Sequence, residues 1–77
     1  MPEKKFGSVR QSIDVIDRDT DVVLQHFYYC PLMSGDYEVA RDLASHFVRD
    51  RCTRHNFDVS SYLLVDHYHA TCWILDK

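Results

Sequence analysis

The chain has 77 residues, of which 45% are hydrophobic and 13% aromatic, and its formal net charge is −3. This length predicts a single small domain, 1–77, and the apolar content excludes a disordered chain. The mild negative charge disfavours a general nucleic-acid binder, because such proteins usually carry a basic excess. The three cysteines are too widely spaced to indicate a disulfide framework, and no segment approaches the roughly 20 apolar residues of a membrane span. We therefore expect a cytoplasmic protein in a reducing compartment, without a signal peptide.

The first half of the chain predicts a β-hairpin. Residues 8–17 alternate between apolar and polar side chains, which is typical of a half-buried strand. Residues 22–30 are rich in β-branched and aromatic side chains and predict a second strand. Polar residues 18–21 supply the turn between them. Pro31 should end the second strand because proline has no N–H to donate to a neighbouring strand.

Residues 34–56 predict one amphipathic helix, the longest periodic segment of the chain. Apolar side chains recur at three- and four-residue steps, while charged side chains occupy the opposite face. Ser34 or Asp36 is expected to cap the first free N–H groups, and Asn56 to end the helix. The predicted apolar stripe consists of Val39, Ala40, Leu43, Ala44, Phe47, Val48 and Cys52.

The segment after the helix predicts two strands within residues 59–75, joined by a tight turn at Asp66 and His67. The alternative is one long bent strand. The predicted fold is therefore α+β, with one amphipathic helix packed on a mostly antiparallel sheet. Its order is β-β-α-β-β, or β-β-α-β if the last strand is continuous.

One helix can cover only one face of a sheet, so the other face is the predicted binding surface. Aromatic side chains combine apolar area with a polar tip and are enriched at protein interfaces. An open edge strand or the uncovered face also favours self-association, and we expect a homodimer. The predicted protein-binding residues are Tyr28, Tyr29, Tyr62, Tyr68 and Trp73.

Catalytic and metal chemistry find little support in the sequence. Cys30 precedes the helix, but a phosphatase-like loop would need an arginine six residues later, where the chain has Asp36. We expect no enzyme activity and no cofactor. A zinc-stabilised domain remains an alternative, because four N and S donors suit tetrahedral zinc. Its candidate ligands are Cys52, His55, His67 and His69.

A second alternative is nucleic-acid binding through arginines of the helix and aromatic residues of the sheet, with Arg41, Arg49 and Arg54 as the candidates. Acidic residues interleave with these arginines, which is typical of an ordinary solvated surface. The preferred prediction is a non-catalytic protein-interaction module. By analogy of size, it would be a small inhibitor or regulatory subunit that docks on a larger complex, of the type that viruses and phages direct against host machinery.

Overall fold

A computed structural model of the chain describes residues 10–76. The strands form one antiparallel four-stranded sheet in the order β2-β1-β3-β4. The predicted α+β class and β-β-α-β-β order are confirmed. The elements are β1 (Gln11–Asp17), β2 (Val22–Tyr29), α1 (Asp36–His55), a 3-10 turn (Val59–Ser61), β3 (Tyr62–Asp66) and β4 (Thr71–Trp73).

The boundaries differ from the predicted ones in ways that local chemistry explains. β2 ends at Tyr29, one residue earlier than predicted. The alternative of one long last strand is wrong, because a turn at residues 67–70 separates β3 from β4. Ala70 in that turn has a φ of 54°, so it lies in the left-handed region and reverses the chain. The predicted beginning of the first strand, at residues 8 and 9, lies outside the described residues.

The helix begins differently from the predicted capping. Gly35 stands at the N-cap with a φ of 82°, a conformation that glycine adopts without steric cost. No side chain of residues 10–76 caps the helix, so the capping predicted for Ser34 or Asp36 is wrong. The Asp36 carboxylate instead accepts a hydrogen bond from the backbone N–H of Cys30, which ties the loop to the end of β2. At the other end, Asn56 stops the helix as predicted, with a φ of 58° and its N–H bonded to the Cys52 carbonyl.

The buried stripe of the helix is narrower than predicted and is made mainly of small residues. Small side chains let the helix lie close to the sheet. Val39 and Leu43 from the predicted stripe remain 56% and 51% exposed. The buried positions are Ala40, Ala44, Val48 and Cys52. They pack against the buried strand residues Ile13, Val15, Tyr29, Tyr62 and Leu64 to form one core.

Two side-chain contacts fix how the helix lies over the sheet. Phe47 packs edge-on against Phe27 of β2, with ring centroids 5.6 Å apart. On its other side, the guanidinium of Arg41 lies 4.5 Å from the ring centroid of Trp73 in β4. The Phe47 side of the helix therefore faces the β2 edge of the sheet, and the Arg41 side faces the β4 edge. Within residues 10–76, no helix is long and apolar enough to cross a membrane.

Candidate protein-binding surface

The register of the strands assigns side chains to the two faces of the sheet. Residues directly opposite each other on neighbouring strands point to the same face. Ile13 and Val15 are fully buried beneath the helix, so the residues between and beside them point away from it. We call this second surface the open face. It consists of Ser12, Asp14, Ile16, Val23, His26, Tyr28, Leu63, Val65 and Cys72.

One half of the open face is apolar. Ile16 lies opposite both Val23 and Leu63 in the register, and Val65 lies opposite Cys72. Val23 is 43% exposed, and Ile16, Leu63 and Val65 are each partly exposed. Their pairing makes these side chains a contiguous apolar strip across all four strands. Among the described residues, no helix packs against the strip.

The other half of the open face is polar and aromatic. The Asp14 carboxylate accepts a hydrogen bond of 2.6 Å from the Ser12 hydroxyl and lies 2.7 Å from Nδ1 of His26. Tyr28 is 58% exposed, with its ring 5.6 Å from that of His26. The guanidinium of Arg10 lies 5.7 Å from the Tyr28 ring centroid. An apolar strip beside an aromatic and arginine-containing border resembles the composition of a protein interface.

Three of the five predicted protein-binding residues belong to the other face. Tyr29 and Tyr62 are each only 2% exposed and form part of the core. Trp73 lies opposite the buried Leu64 and packs against the core beneath Arg41. Their predicted placement on the open face is therefore wrong. Strand register decides the face, and a shift of one residue inverts it, so the sequence pattern alone could not assign these aromatics.

The remaining two predicted residues are exposed. Tyr28 lies on the open face, as expected. Tyr68 is 50% exposed in the turn between β3 and β4, where its ring packs edge-on against His69 at 5.0 Å. Tyr68 thus lies at the end of the sheet, apart from the open face.

A buried hydrogen-bonded cluster beneath the start of the helix was not predicted from the sequence. Asp66, which is fully buried, accepts hydrogen bonds of 2.9 Å from the Tyr29 hydroxyl and 3.2 Å from the backbone N–H of His69. Nδ1 of His69 lies 2.7 Å from the second carboxylate oxygen. Tyr37 of the helix covers the cluster, with its ring centroid 4.5 Å from that of His69. The D-x-x-H spacing of Asp66 and His69 across a tight turn is the only sequence signal that could have indicated it.

The cluster shifts the acidity of two of its members. Burial would raise the pKa of the Asp66 carboxyl, but hydrogen bonds from His69 and Tyr29 outweigh burial and hold that pKa below its usual value. Burial, followed by the hydrogen bond to the Asp66 carboxylate, raises the pKa of the Tyr29 hydroxyl well above its usual value. Asp66 therefore stays ionised and Tyr29 stays neutral, and each state supports the other.

The arginines proposed for nucleic-acid contact already have partners within the chain. Arg41 stacks on Trp73, and Arg49 donates a hydrogen bond of 3.0 Å to the Asp76 carbonyl. Arg54 pairs with Asp50 one turn earlier at 2.7 Å. The sheet does not bring these three guanidinium groups next to the open-face Tyr28, which the alternative would require for combined phosphate contact and base stacking.

The candidate zinc ligands are not assembled. Cys52 is buried against the core, and His55 stacks on Phe57 with centroids 5.6 Å apart. His67 lies exposed in the β3–β4 turn, while His69 is bound to Asp66. Across residues 10–76, no group of three or more His, Cys, Asp or Glu side chains could hold a metal ion.

An open cleft of about 550 Å³ lies at the end of the helix, away from both histidine–aspartate pairs. Its lining includes Cys52, and burial raises the pKa of that thiol, which keeps it protonated and weakly nucleophilic. The cleft is lined by Arg49, Cys52, Thr53, Asn56, Phe57, Asp58 and Val59.

Comparison of the chain with protein-family models gives no match, and comparisons with curated proteins and with solved structures give no significant similarity.

Proposed function

We propose that this chain is a non-catalytic protein-interaction module that binds a partner protein through the open face. The observation that carries the proposal is the apolar strip of that face, which continues across four strands and is bordered by Tyr28 and Arg10. Burial of such a strip against a partner would be favourable by roughly 25 cal/mol per Å² of apolar area.

The chemistry of the polar groups supports binding more than catalysis. The two aspartate–histidine pairs resemble the orienting half of a catalytic triad, in which a carboxylate holds an imidazole for a serine or cysteine nucleophile. The Ser12 hydroxyl, however, donates to Asp14 rather than to His26. His69 is bonded to Tyr29 and Asp66 beneath Tyr37. In the described part of the chain, neither histidine has a serine or cysteine as a hydrogen-bond partner.

The same features support a role as a small inhibitor or regulatory subunit. A broad apolar strip suits contact with another folded surface better than capture of a small ligand, which usually takes an enclosed pocket. A virus- or phage-type inhibitor of host machinery would act by this kind of contact. Nucleic-acid binding has less support, because the helix arginines have internal partners and the net charge is −3.

The test compares Tyr28→Ala with Phe57→Ala. The two aromatic side chains are similarly exposed, at 58% and 51%, but only Tyr28 lies on the open face. Affinity capture from a lysate of the cells that make the protein, followed by mass spectrometry, should recover a saturable partner with the wild type and with Phe57→Ala. Tyr28→Ala should lose it. Equal recovery by both variants would contradict binding through the open face.

A further inference from the structure

β2 is an edge strand that lacks most of the usual protection against pairing. It stands at the end of the order β2-β1-β3-β4, so one side of its backbone has no strand partner within residues 10–76. Natural edge strands are commonly kept short, charged or interrupted by proline. β2 has eight residues, with no proline and no Asp, Glu, Lys or Arg. Its one irregularity is the register shift opposite Val15 and Ile16. The other edge strand, β4, has only three residues.

An exposed apolar flank of the helix accompanies this free edge. Phe47 orients one side of the helix toward β2 through its contact with Phe27. Val39 and Leu43 precede Phe47 by eight and four residues, so they lie on the same side of the helix. They are nevertheless 56% and 51% exposed. The free backbone edge and the apolar flank thus belong to one side of the molecule, and a partner that covers the edge also reaches the flank.

The charge distribution of the helix identifies which partner fits. The first turn carries Asp36 and Glu38, and the last turn carries Arg54 and His55. A twofold axis perpendicular to the sheet, beside β2, would relate two copies whose strands and helices run in opposite directions. The two helices would then lie side by side and antiparallel on the same face of the sheet. The acidic first turn of each helix would then face the basic last turn of the other. Because β2 has no formally charged residue, two copies of the strand can pair without like-charge repulsion.

We propose that the chain forms a symmetric homodimer in which β2 of one copy pairs antiparallel with β2 of a second copy. The dimer has one continuous eight-stranded sheet, with both helices on the same face and Val39 and Leu43 of each copy between them. The contact is isologous and closes on itself, so it ends at two copies rather than forming a fibre. The two open faces also join into one, which doubles the surface available to a partner protein.

The first test is the solution mass of Leu43→Glu and of the matched control Tyr68→Glu. These side chains are 51% and 50% exposed, so both variants should fold, and only Leu43 lies on the proposed interface. Light scattering after size exclusion should give twice the monomer mass of 9.1 kDa for the wild type and for Tyr68→Glu. Leu43→Glu should give the monomer mass, because the dimer would bury its carboxylate without a partner.

The second test is charge reversal at the last turn of the helix. Arg54 follows Phe47 by seven residues, so it lies on the side of the helix that faces the proposed interface. Arg54→Glu places an acidic group against the acidic first turn of the second copy and should weaken dimerisation by about tenfold, which corresponds to about 1.4 kcal/mol. Higher ionic strength should reduce this loss.

Amide hydrogen exchange distinguishes β2 pairing from any other dimer. In the wild type, residues 22–29 should gain protection as the protein concentration rises, whereas residues 71–73 should not change. A monomeric wild type at the highest soluble concentration would overturn the proposal. So would a dimer that persists in Leu43→Glu, or whose β2 amides exchange at the same rate in monomer and dimer.

Discussion

Each face of the sheet carries an aspartate–histidine pair, and the two pairs differ in what surrounds the carboxylate. Both pairs have an Nδ1–carboxylate distance of 2.7 Å. The Asp66 side chain is fully buried and also binds Tyr29 and a backbone N–H, whereas the Asp14 side chain keeps 11% of its exposure and binds Ser12. The same pair of residue types thus closes the core beneath the helix on one face, and on the other it joins a largely buried carboxylate to a half-exposed imidazole.

The helix thus divides the sheet into a covered face that stabilises the fold and an open face that the helix leaves uncovered. A polar network in a low-dielectric interior is costly if any member is lost, because the remaining groups cannot turn to water. A pair with one exposed member, such as His26 beside Asp14, loses less, because water can replace the missing partner of the exposed group. Substitutions on the covered face should therefore be measured mainly in stability, and those on the open face mainly in binding.

The sharpest comparison is between two neighbouring tyrosines of β2. Tyr29→Ala removes a buried ring and a hydrogen bond, so it should lower the free energy of unfolding by about 4 kcal/mol. Tyr28→Ala removes an exposed ring from the opposite face and should change it by less than about 0.5 kcal/mol. Urea denaturation followed by circular dichroism measures both. A large loss with Tyr28→Ala would mean that the open face is covered in the folded protein.

The two aspartates give the next largest difference. Asp66→Ala leaves Tyr29 and His69 without their shared acceptor and should cost about 3 kcal/mol of unfolding free energy. Asp14→Ala removes the shared partner of Ser12 and His26 and should cost about 1–2 kcal/mol, because the half-exposed His26 can turn to water. Both values come from the same denaturation experiment. Equal costs would contradict the division of the sheet into two unlike faces.

Much of the fold was predictable from the sequence, because the helical period, the β-rich segments and the turn residues act locally. The order of elements and the Asn56 stop followed from such signals. The faces of the strands did not, because register depends on pairing between distant segments. Tyr28 and Tyr29 have similar chemistry and adjacent positions, and only the opposition of Ser12 to Tyr28 and of Gln11 to Tyr29 separates them. Both were therefore among the predicted protein-binding residues.

The helix stripe shows a second limit of the sequence. Val39 and Leu43 satisfy the apolar period as well as Ala40 and Ala44 do, yet the smaller pair faces the core. Large aromatic side chains from the strands, Tyr29 among them, already fill the space beneath the helix, so close approach favours alanine there. The helix sequence alone does not give the volume of the strand side chains beneath it. It therefore does not predict which apolar side of the helix stays exposed.

The shifted pKa values of Asp66 and Tyr29 in the buried cluster predict that the fold loses stability both in strong acid and at alkaline pH. The pKa of Asp66 is lower in the folded than in the unfolded chain, so its contribution is present above the usual aspartate value of 3.8 and is lost as pH falls through the folded pKa. The wild type should therefore lose its advantage over Asp66→Asn in strong acid. If the difference between them stayed constant across this range, the carboxylate would not be the stabilising form.

The alkaline limit comes from Tyr29. Its folded pKa lies above the unfolded value of 10.0, so above about pH 10 the unfolded chain releases a proton that the folded chain retains, and stability falls. Tyr29→Phe should remove this contribution to the alkaline loss, whereas Tyr28→Phe should leave it in place. Unfolding free energies measured on both sides of pH 10 make the comparison. An identical alkaline profile for wild type and Tyr29→Phe would contradict the assignment to the buried cluster.

The smallest expected effect concerns the alkylation of cysteine thiols and needs no substitution. Cys72 lies on the open face, and Cys52 of the helix is buried against the covered face. Cys72 is exposed on the open face, while Cys52 is buried with a raised thiol pKa, so less of it is present as the reactive thiolate. Alkylation at neutral pH should modify Cys72 about tenfold faster, because Cys52 is buried and less of it is present as thiolate. Peptide mass spectrometry at successive times separates the two sites. A bound partner protein should lower the alkylation rate of Cys72 and leave that of Cys52 unchanged. Faster alkylation of Cys52 than of Cys72 would mean that the helix side of the sheet opens more readily than the packing of Ala44 and Val48 implies.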